Sequence, residues 1–166
     1  MKVMVAYFSY SGNTKKIAEA IYQEIQEEKE IKELDKIRNL EGYDLVFVGS
    51  PMHGFGVPEE TNDFLKKHCK GKKIVFFITH GGPEELVELQ PWLEKFKEAA
   101  VEADVLDMFN CQGELAQYVI DELLKSDNPQ YQAYGRGGPA TKGQPDAARV
   151  ERARFFTREI MERIKK

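Results

Sequence analysis

The chain has 166 residues, 42% hydrophobic and 31% charged, the size and balance of one globular domain able to bury a full core. Its formal net charge of -4 argues against a nucleic-acid partner, and no apolar run approaches the length that spans a membrane. Cys69 and Cys111 stand far apart with no Cys-x-x-Cys pattern, so they read as buried thiols rather than as a disulfide framework or a zinc site.

Strand-like sequence is already present at residue 2, which leaves no room for a signal peptide and makes the cytoplasm the expected location. Lys2 to Phe8 is too continuously apolar for a half-buried edge strand, so it is expected to be covered on both faces, as in a parallel sheet. Tyr7-Phe8-Ser9-Tyr10-Ser11-Gly12-Asn13-Thr14 then turns the chain from strand to helix. A helix start presents unpaired N–H groups and the positive end of the peptide dipoles, Ser9, Ser11 and Thr14 add hydroxyls, and Gly12 lets the backbone approach a ligand closely. The stretch therefore reads as a cradle for an anion such as phosphate. It lacks the Gly-Lys-Ser/Thr ending of a P-loop and the three glycines of a dinucleotide fingerprint, and no cysteine lies in it to serve a thiol phosphatase. The plainer alternative is a strand-to-helix turn with capping serines, though one cap does not use three hydroxyls.

On these residues the loop resembles the FMN phosphate loop of the flavodoxin family, a hydroxyl-x-hydroxyl-Gly-x-Thr run directly after the first strand. The resemblance implies that Ser9, Tyr10, Ser11, Gly12, Asn13 and Thr14 hold the FMN phosphate.

The helix that follows, Thr14 to Glu28, places Ile17, Ala18, Ala20, Ile21 and Ile25 largely on one face. Ile31 to Ile37 is expected to be a short charged edge strand, followed by a turn over Asn39 to Tyr43. Asp44 to Ser50 is a second buried strand, and Ser50 to Pro58, with two prolines and two glycines, is a loop at its carboxyl end before a helix over Glu59 to Cys69. The family resemblance implies that Pro51, Met52, His53, Gly54, Phe55 and Gly56 lie along one side of the isoalloxazine ring, where a glycine peptide at Gly54 or Gly56 flips to tune the one-electron-reduced flavin. Lys73 to Thr79 is a third buried strand that breaks at Thr79-His80-Gly81-Gly82-Pro83. By the same resemblance Thr79, His80, Gly81 and Gly82 meet the pyrimidine side of the flavin.

Glu84 to Ala100 is expected to be a helix bent near Pro91, with Trp92 packed on it away from the loops. Familiar flavodoxins sandwich the ring between aromatic side chains. Here the candidates are Met52, His53, Phe55 and His80, with His53 and His80 either titrating near the reduced flavin or serving as satisfied loop histidines. His53, His80 and Cys111 sit on three separate loops with no ligand spacing, so no metal site is expected.

Asp104 to Phe109 or Cys111 is the last strand. Beyond it, Glu114 to Lys125 has helical spacing, Ser126 to Pro145 is rich in glycine, proline and polar residues, and Asp146 caps a final helix. Gly113 to Pro145 is thus an inserted excursion that begins and ends near the ligand edge. It is expected to be either a lid or partner surface, using Tyr131, Tyr134 and Arg136, or a solvated loop.

The whole chain, 1–166, is expected to form one α/β domain, a flavodoxin-like three-layer sandwich with a five-stranded parallel sheet in the order 2-1-3-4-5. The expected function is FMN-based electron transfer between a reductase and an acceptor protein, the mildly acidic surface suiting a basic redox partner, with no catalytic side chain. An FMN-dependent NAD(P)H oxidoreductase acting on a quinone or other small acceptor is the second reading, and a non-redox FMN or phosphate binding module the third.

Overall fold

The structure, a computed structural model, describes residues 1–166. Five strands form one parallel sheet in the order β2-β1-β3-β4-β5, as expected: β1 (Lys2–Tyr7), β2 (Glu28–Glu33), β3 (Leu45–Pro51), β4 (Lys73–His80) and β5 (Asp104–Gln112). The helices are α1 (Asn13–Glu24), α2 (Glu59–His68), α3 (Leu89–Ala99), α4 (Gln117–Lys125), α5 (Pro129–Gly137) and α6 (Ala147–Lys165).

Side chains alternate across the central strands and both faces are covered, which is why β1, β3 and β4 read as unbroken apolar runs. Met4, Val46, Val48, Ile74, Phe76 and Ile78 meet Phe64, Leu65, Leu93 and Phe96 of α2 and α3. On the other face Val3, Val5, Phe47, Val75 and Phe77 meet Ile17 and Ile21 of α1 and Ala153, Ile160 and Met161 of α6. Phe47, Phe76, Phe77 and Phe96 are fully buried, each worth roughly 1.5–3 kcal/mol relative to exposure.

Three boundaries depart from the expected ones. First, α1 ends at Glu24 because Ile25 turns extended, so the edge strand starts at Glu28 rather than Ile31. Leu34 and Ile37 then enter the core through a 3-10 turn, Leu34–Lys36, instead of lying on the strand. Second, α3 starts at Leu89 rather than Glu84, which puts Pro91 in the first turn, where no intrahelical N–H is required. Third, the glycine-rich part of the excursion is helical. A Cβ on Gly135 would lie 3.0 Å from the backbone nitrogen of Leu124 and 3.1 Å from the Leu123 Cβ, so the missing side chain lets α4 and α5 approach closely. Gly135 and Gly138 are thus packing residues, whereas Gly137 and Gly143 face open space.

Candidate functional site

The strand order reverses between β1 and β3, and the loops after β1, β3 and β4 all leave the carboxyl edge of the sheet beside that point, where open parallel sheets bind their ligands.

In the first loop Gly12 occupies the N-cap of α1 at φ 97°, a left-handed conformation that favours glycine, and having no side chain it offers the helix no cap of its own. Ser9 Oγ sits in front of the helix start and accepts from Gly12 N at 3.1 Å and Lys15 N at 3.3 Å. The N–H groups of Asn13 and Thr14 have no partner within the chain. Ser11 and Tyr10 are exposed, as are Lys15 and Lys16 at the start of α1. Thr14 is placed differently from its two fellow hydroxyls: it is buried, and its Oγ lies 2.8 Å from that of Thr79, a hydrogen bond that ties the first loop to the third. Asn13 Nδ2 donates to Glu114 O at 3.0 Å, and Lys16 Nζ donates to Pro145 O at 2.6 Å, so both ends of the excursion are anchored at the cradle.

The second loop leaves β3 through Pro51 and is held by Met52 N donating to Thr79 O at 2.8 Å. It then forms a two-residue hairpin: His53 and Gly56 exchange both backbone hydrogen bonds at 3.0 Å, with Gly54 at φ 55° and Phe55 at φ 60° between them. Two positive φ values at the centre of such a hairpin define a type I′ turn. Phe55 is the single non-glycine residue of the chain with positive φ. Its ring packs 4.7 Å from Trp92, 5.1 Å from Tyr131 and 6.0 Å from Tyr134. Trp92, placed away from the loops by its position in the sequence, therefore meets the second loop in space while also packing on the α3 side of the core. His53 is exposed and tilts against Tyr10 at 5.4 Å.

The third loop holds its histidine inside. His80 is 6% exposed, and burial lowers its pKa, so the neutral ring is favoured. Its Nδ1 lies 3.1 Å from Gly82 O, which can only accept, so Nδ1 carries the proton. Nε2, 3.0 Å from the Asn110 side chain, is then satisfied when the Asn110 amide presents its NH2 group to the ring. Of the two roles open to His80, that of a satisfied loop histidine is the one this geometry supports. Gln112 Nε2 donates to Gly82 O at 3.2 Å, and the Leu115 side chain packs against Gly81.

Glu84 lies just before α3, not inside it as the sequence pattern suggests. Its carboxylate accepts from Arg149 Nε at 2.9 Å, Arg152 Nη1 at 2.7 Å and Gln112 N at 2.9 Å. Burial alone would raise its pKa, but Arg152, the Gln112 N–H and Arg149 outweigh that and hold it below the ordinary carboxylate range. The carboxylate thus joins the third loop to the start of α6. Nothing in the local sequence signals this, because the two arginines are more than sixty residues away.

Two open grooves flank β2. One of about 560 Å³ lies between α1 and β2 on the sheet margin, away from the second and third loops. Another of about 500 Å³ borders Ser9 and is lined by four carboxylates, Glu33, Asp35, Glu60 and Asp63, against the single cation Lys67, a net acidic balance that suits an anion less than the start of α1 does. The thiols of Cys69 and Cys111 are free and buried, and burial pushes both up to about 12. No helix is long and apolar enough to cross a membrane.

A parallel sheet in the order 2-1-3-4-5 with helices on both faces and a glycine-led helix start at the switch point is the arrangement of the flavodoxin-like class of α/β proteins. Flavodoxin is itself the familiar example of this strand order and of a ligand held at its switch point. The flavodoxin domain family matches residues 4–148, and the chain belongs to that family. It is 33% identical over 172 aligned positions to the flavodoxin-like domain-containing protein BilS of Clostridioides difficile (strain CD3), covering 97% of each chain. Among solved structures it is similar to a flavoprotein in complex with FMN from Lactobacillus acidophilus NCFM (TM-score 0.55, 23% identity, 66% of this chain and 92% of that one). It is also similar to oxidised Flavodoxin 2 from Bacillus cereus (TM-score 0.51, 23% identity, 85% and 97%).

Proposed function

We propose that the chain is an FMN-binding electron-transfer protein that works between redox partner proteins in the cytoplasm. The observation that carries this reading is the cradle: Gly12 in the left-handed conformation opens α1, Ser9 Oγ takes the Gly12 and Lys15 N–H groups, and the Asn13 and Thr14 N–H groups stay unpartnered beside the Ser9 and Ser11 hydroxyls. Such a helix start suits a phosphate.

The residues fit the cofactor in three groups. Ser9, Tyr10, Ser11, Gly12, Asn13 and Thr14 surround the phosphate, with Thr14 acting through its bond to Thr79. Pro51, Met52, His53, Gly54, Phe55 and Gly56 lie along one side of the ring, and Thr79, His80, Gly81 and Gly82 offer backbone groups to its pyrimidine edge. When bound, FMN supplies the one- and two-electron chemistry, and the chain binds it, orients it and limits side reactions. The net acidic groove beside Ser9 suits the phosphate less than the start of α1 does and offers a basic partner a complementary surface.

A second reading, an FMN-dependent NAD(P)H oxidoreductase acting on a quinone or other small acceptor, is favoured by the excursion. The α4–α5 pair is anchored at the carboxyl edge through Glu114 and Leu115 and exposes Tyr118, an apolar surface that a small acceptor could use.

The test is a visible-absorbance titration of the purified protein with FMN, followed by anaerobic reduction with dithionite and, separately, with NAD(P)H. Bound flavin reduced by dithionite but inert to NAD(P)H is the result expected of a carrier. Rapid reduction by NAD(P)H alone would replace the carrier with the oxidoreductase. Failure to bind FMN would reject both and leave a module for some other phosphate ligand.

A further inference from the structure

The hairpin at Gly54–Phe55 carries a residue in the wrong handedness for its type. Gly-Phe is a good pair for a type II′ turn, in which only the first central residue needs positive φ, yet Phe55 stands at φ 60° and the turn is type I′. A bulky side chain in that conformation persists only where its surroundings hold it. Three rings from two distant segments surround Phe55: Trp92 from α3, and Tyr131 and Tyr134 from α5 of the excursion. Trp92 and Tyr134 are themselves edge to face at 6.0 Å, and Lys95 Nζ donates to Phe55 O at 3.0 Å. The central peptide, Gly54 C=O and Phe55 N–H, takes no part in the turn's own hydrogen bonds. Types I′ and II′ differ by rotation of that peptide, and type II′ would return Phe55 to negative φ.

We propose that Trp92, Tyr131 and Tyr134 form an aromatic clasp that holds Phe55 left-handed, so that the excursion sets the orientation of the Gly54–Phe55 peptide. Trp92, Tyr131 and Tyr134 are positioning residues: they act through the Phe55 ring on a peptide at the ligand edge. Where the second loop flanks the flavin, as the proposed function has it, the clasp governs which polar group of that peptide faces the ring. Release of the excursion frees the turn to become type II′. A carrier could then be adjusted by whatever binds α4–α5, without contact to the cofactor.

The test has two arms. In flavin-free, isotope-labelled protein a positive φ at Phe55 gives a strong intraresidue HN–Hα NOE. The pair Tyr131→Ala and Tyr134→Ala is expected to weaken it to the level of an ordinary turn residue, and its retention at full strength would overturn the clasp. If the alanine pair does not fold, Tyr131→Leu with Tyr134→Leu keeps apolar bulk under α5 and serves the same readout. In FMN-loaded protein the alanine pair is expected to change the equilibrium between one-electron-reduced and oxidised flavin by at least about fivefold, the smallest change that the cost of one strained residue allows. In a Phe55→Gly background, where positive φ is unstrained, the same pair is expected to change it by less than about twofold. Equal shifts in both backgrounds would overturn coupling through Phe55. Failure of the parent protein to take up FMN would instead count against the proposed function, and the NOE arm would decide the clasp on its own.

Discussion

The cradle at Ser9–Thr14 and the α4–α5 excursion flank the same strand ends but are built by opposite means. The cradle is local: one left-handed glycine, a helix start and hydroxyls within six residues of one another. The excursion is positioned from afar, by Asn13 on Glu114, Lys16 on Pro145, Leu115 against Gly81, and Phe55 inside a ring cluster drawn from three segments. Backbone chemistry can be specified by a short motif, whereas docking by side chains needs partners that the sequence scatters. The cradle should therefore fail by single local changes to its ligand, and the excursion by losses of packing that leave phosphate binding intact.

Gly12→Val tests the first half of that contrast. It forces a branched side chain into φ 97°, and FMN affinity should fall on the order of a hundredfold, read by flavin fluorescence titration, while the fold is lowered by only about 2 kcal/mol. Unchanged affinity would remove the cradle from the site.

Glu84→Gln probes the joint between the third loop and α6 and should cost about 2 kcal/mol in urea denaturation at pH 7, allowing for the partial exposure of Arg152. The Glu84 pKa is depressed in the folded state, so its contribution is fully present above the unfolded value, near 4.5, and is lost as pH falls through the folded value. Wild type and variant should accordingly converge in strongly acid solution. A constant difference down to the lowest pH would assign the effect to packing rather than charge.

Gly135→Val should destabilise by about 1.5 kcal/mol, because the new side chain meets the backbone of Leu124. Trp92 emission should shift as α5 lifts from it, with FMN affinity within about threefold of the parent. A large loss of affinity would show that the excursion and the cradle are not separable.

The smallest effect is expected from Thr79→Val, which leaves the buried Thr14 hydroxyl unpaired at a cost of about 1 kcal/mol. Adding Thr14→Val should restore part of it, and a strictly additive double variant would argue against the bond.

Much of this architecture was legible along the chain because it rests on local patterns. The unbroken apolar runs of β1, β3 and β4 report burial on both faces, Gly12 marks the helix start, and Asp146 accepts from Arg149 N as the cap of α6. The misplaced features depend on remote partners. Glu84 looks like helix until its two arginines are in place. Trp92 looks distant from the second loop until α3 folds beneath it. Gly135 and Gly138 look like loop residues until Leu124 and Ile120 fill the space their side chains would occupy. The turn at Phe55 was hidden for the same reason, since Gly-Phe by itself favours the other turn type.

The seat of α6 on α1 has a kinetic consequence. Arg154 reaches Gln23 across 131 positions of sequence, and Arg158 and Lys165 reach Glu24 and Glu27 nearby. The entropy of closing such a loop grows only with the logarithm of its length, about 0.6 kcal/mol per doubling, so equilibrium stability suffers little from the distance. Folding speed suffers more, since contacts so far apart in sequence slow the search for the native topology. The layer under β1, β3 and β4 that contains α1 is thus expected to be sealed late. In a stopped-flow experiment, trimming the Arg158 contacts should accelerate unfolding while leaving the refolding rate almost unchanged.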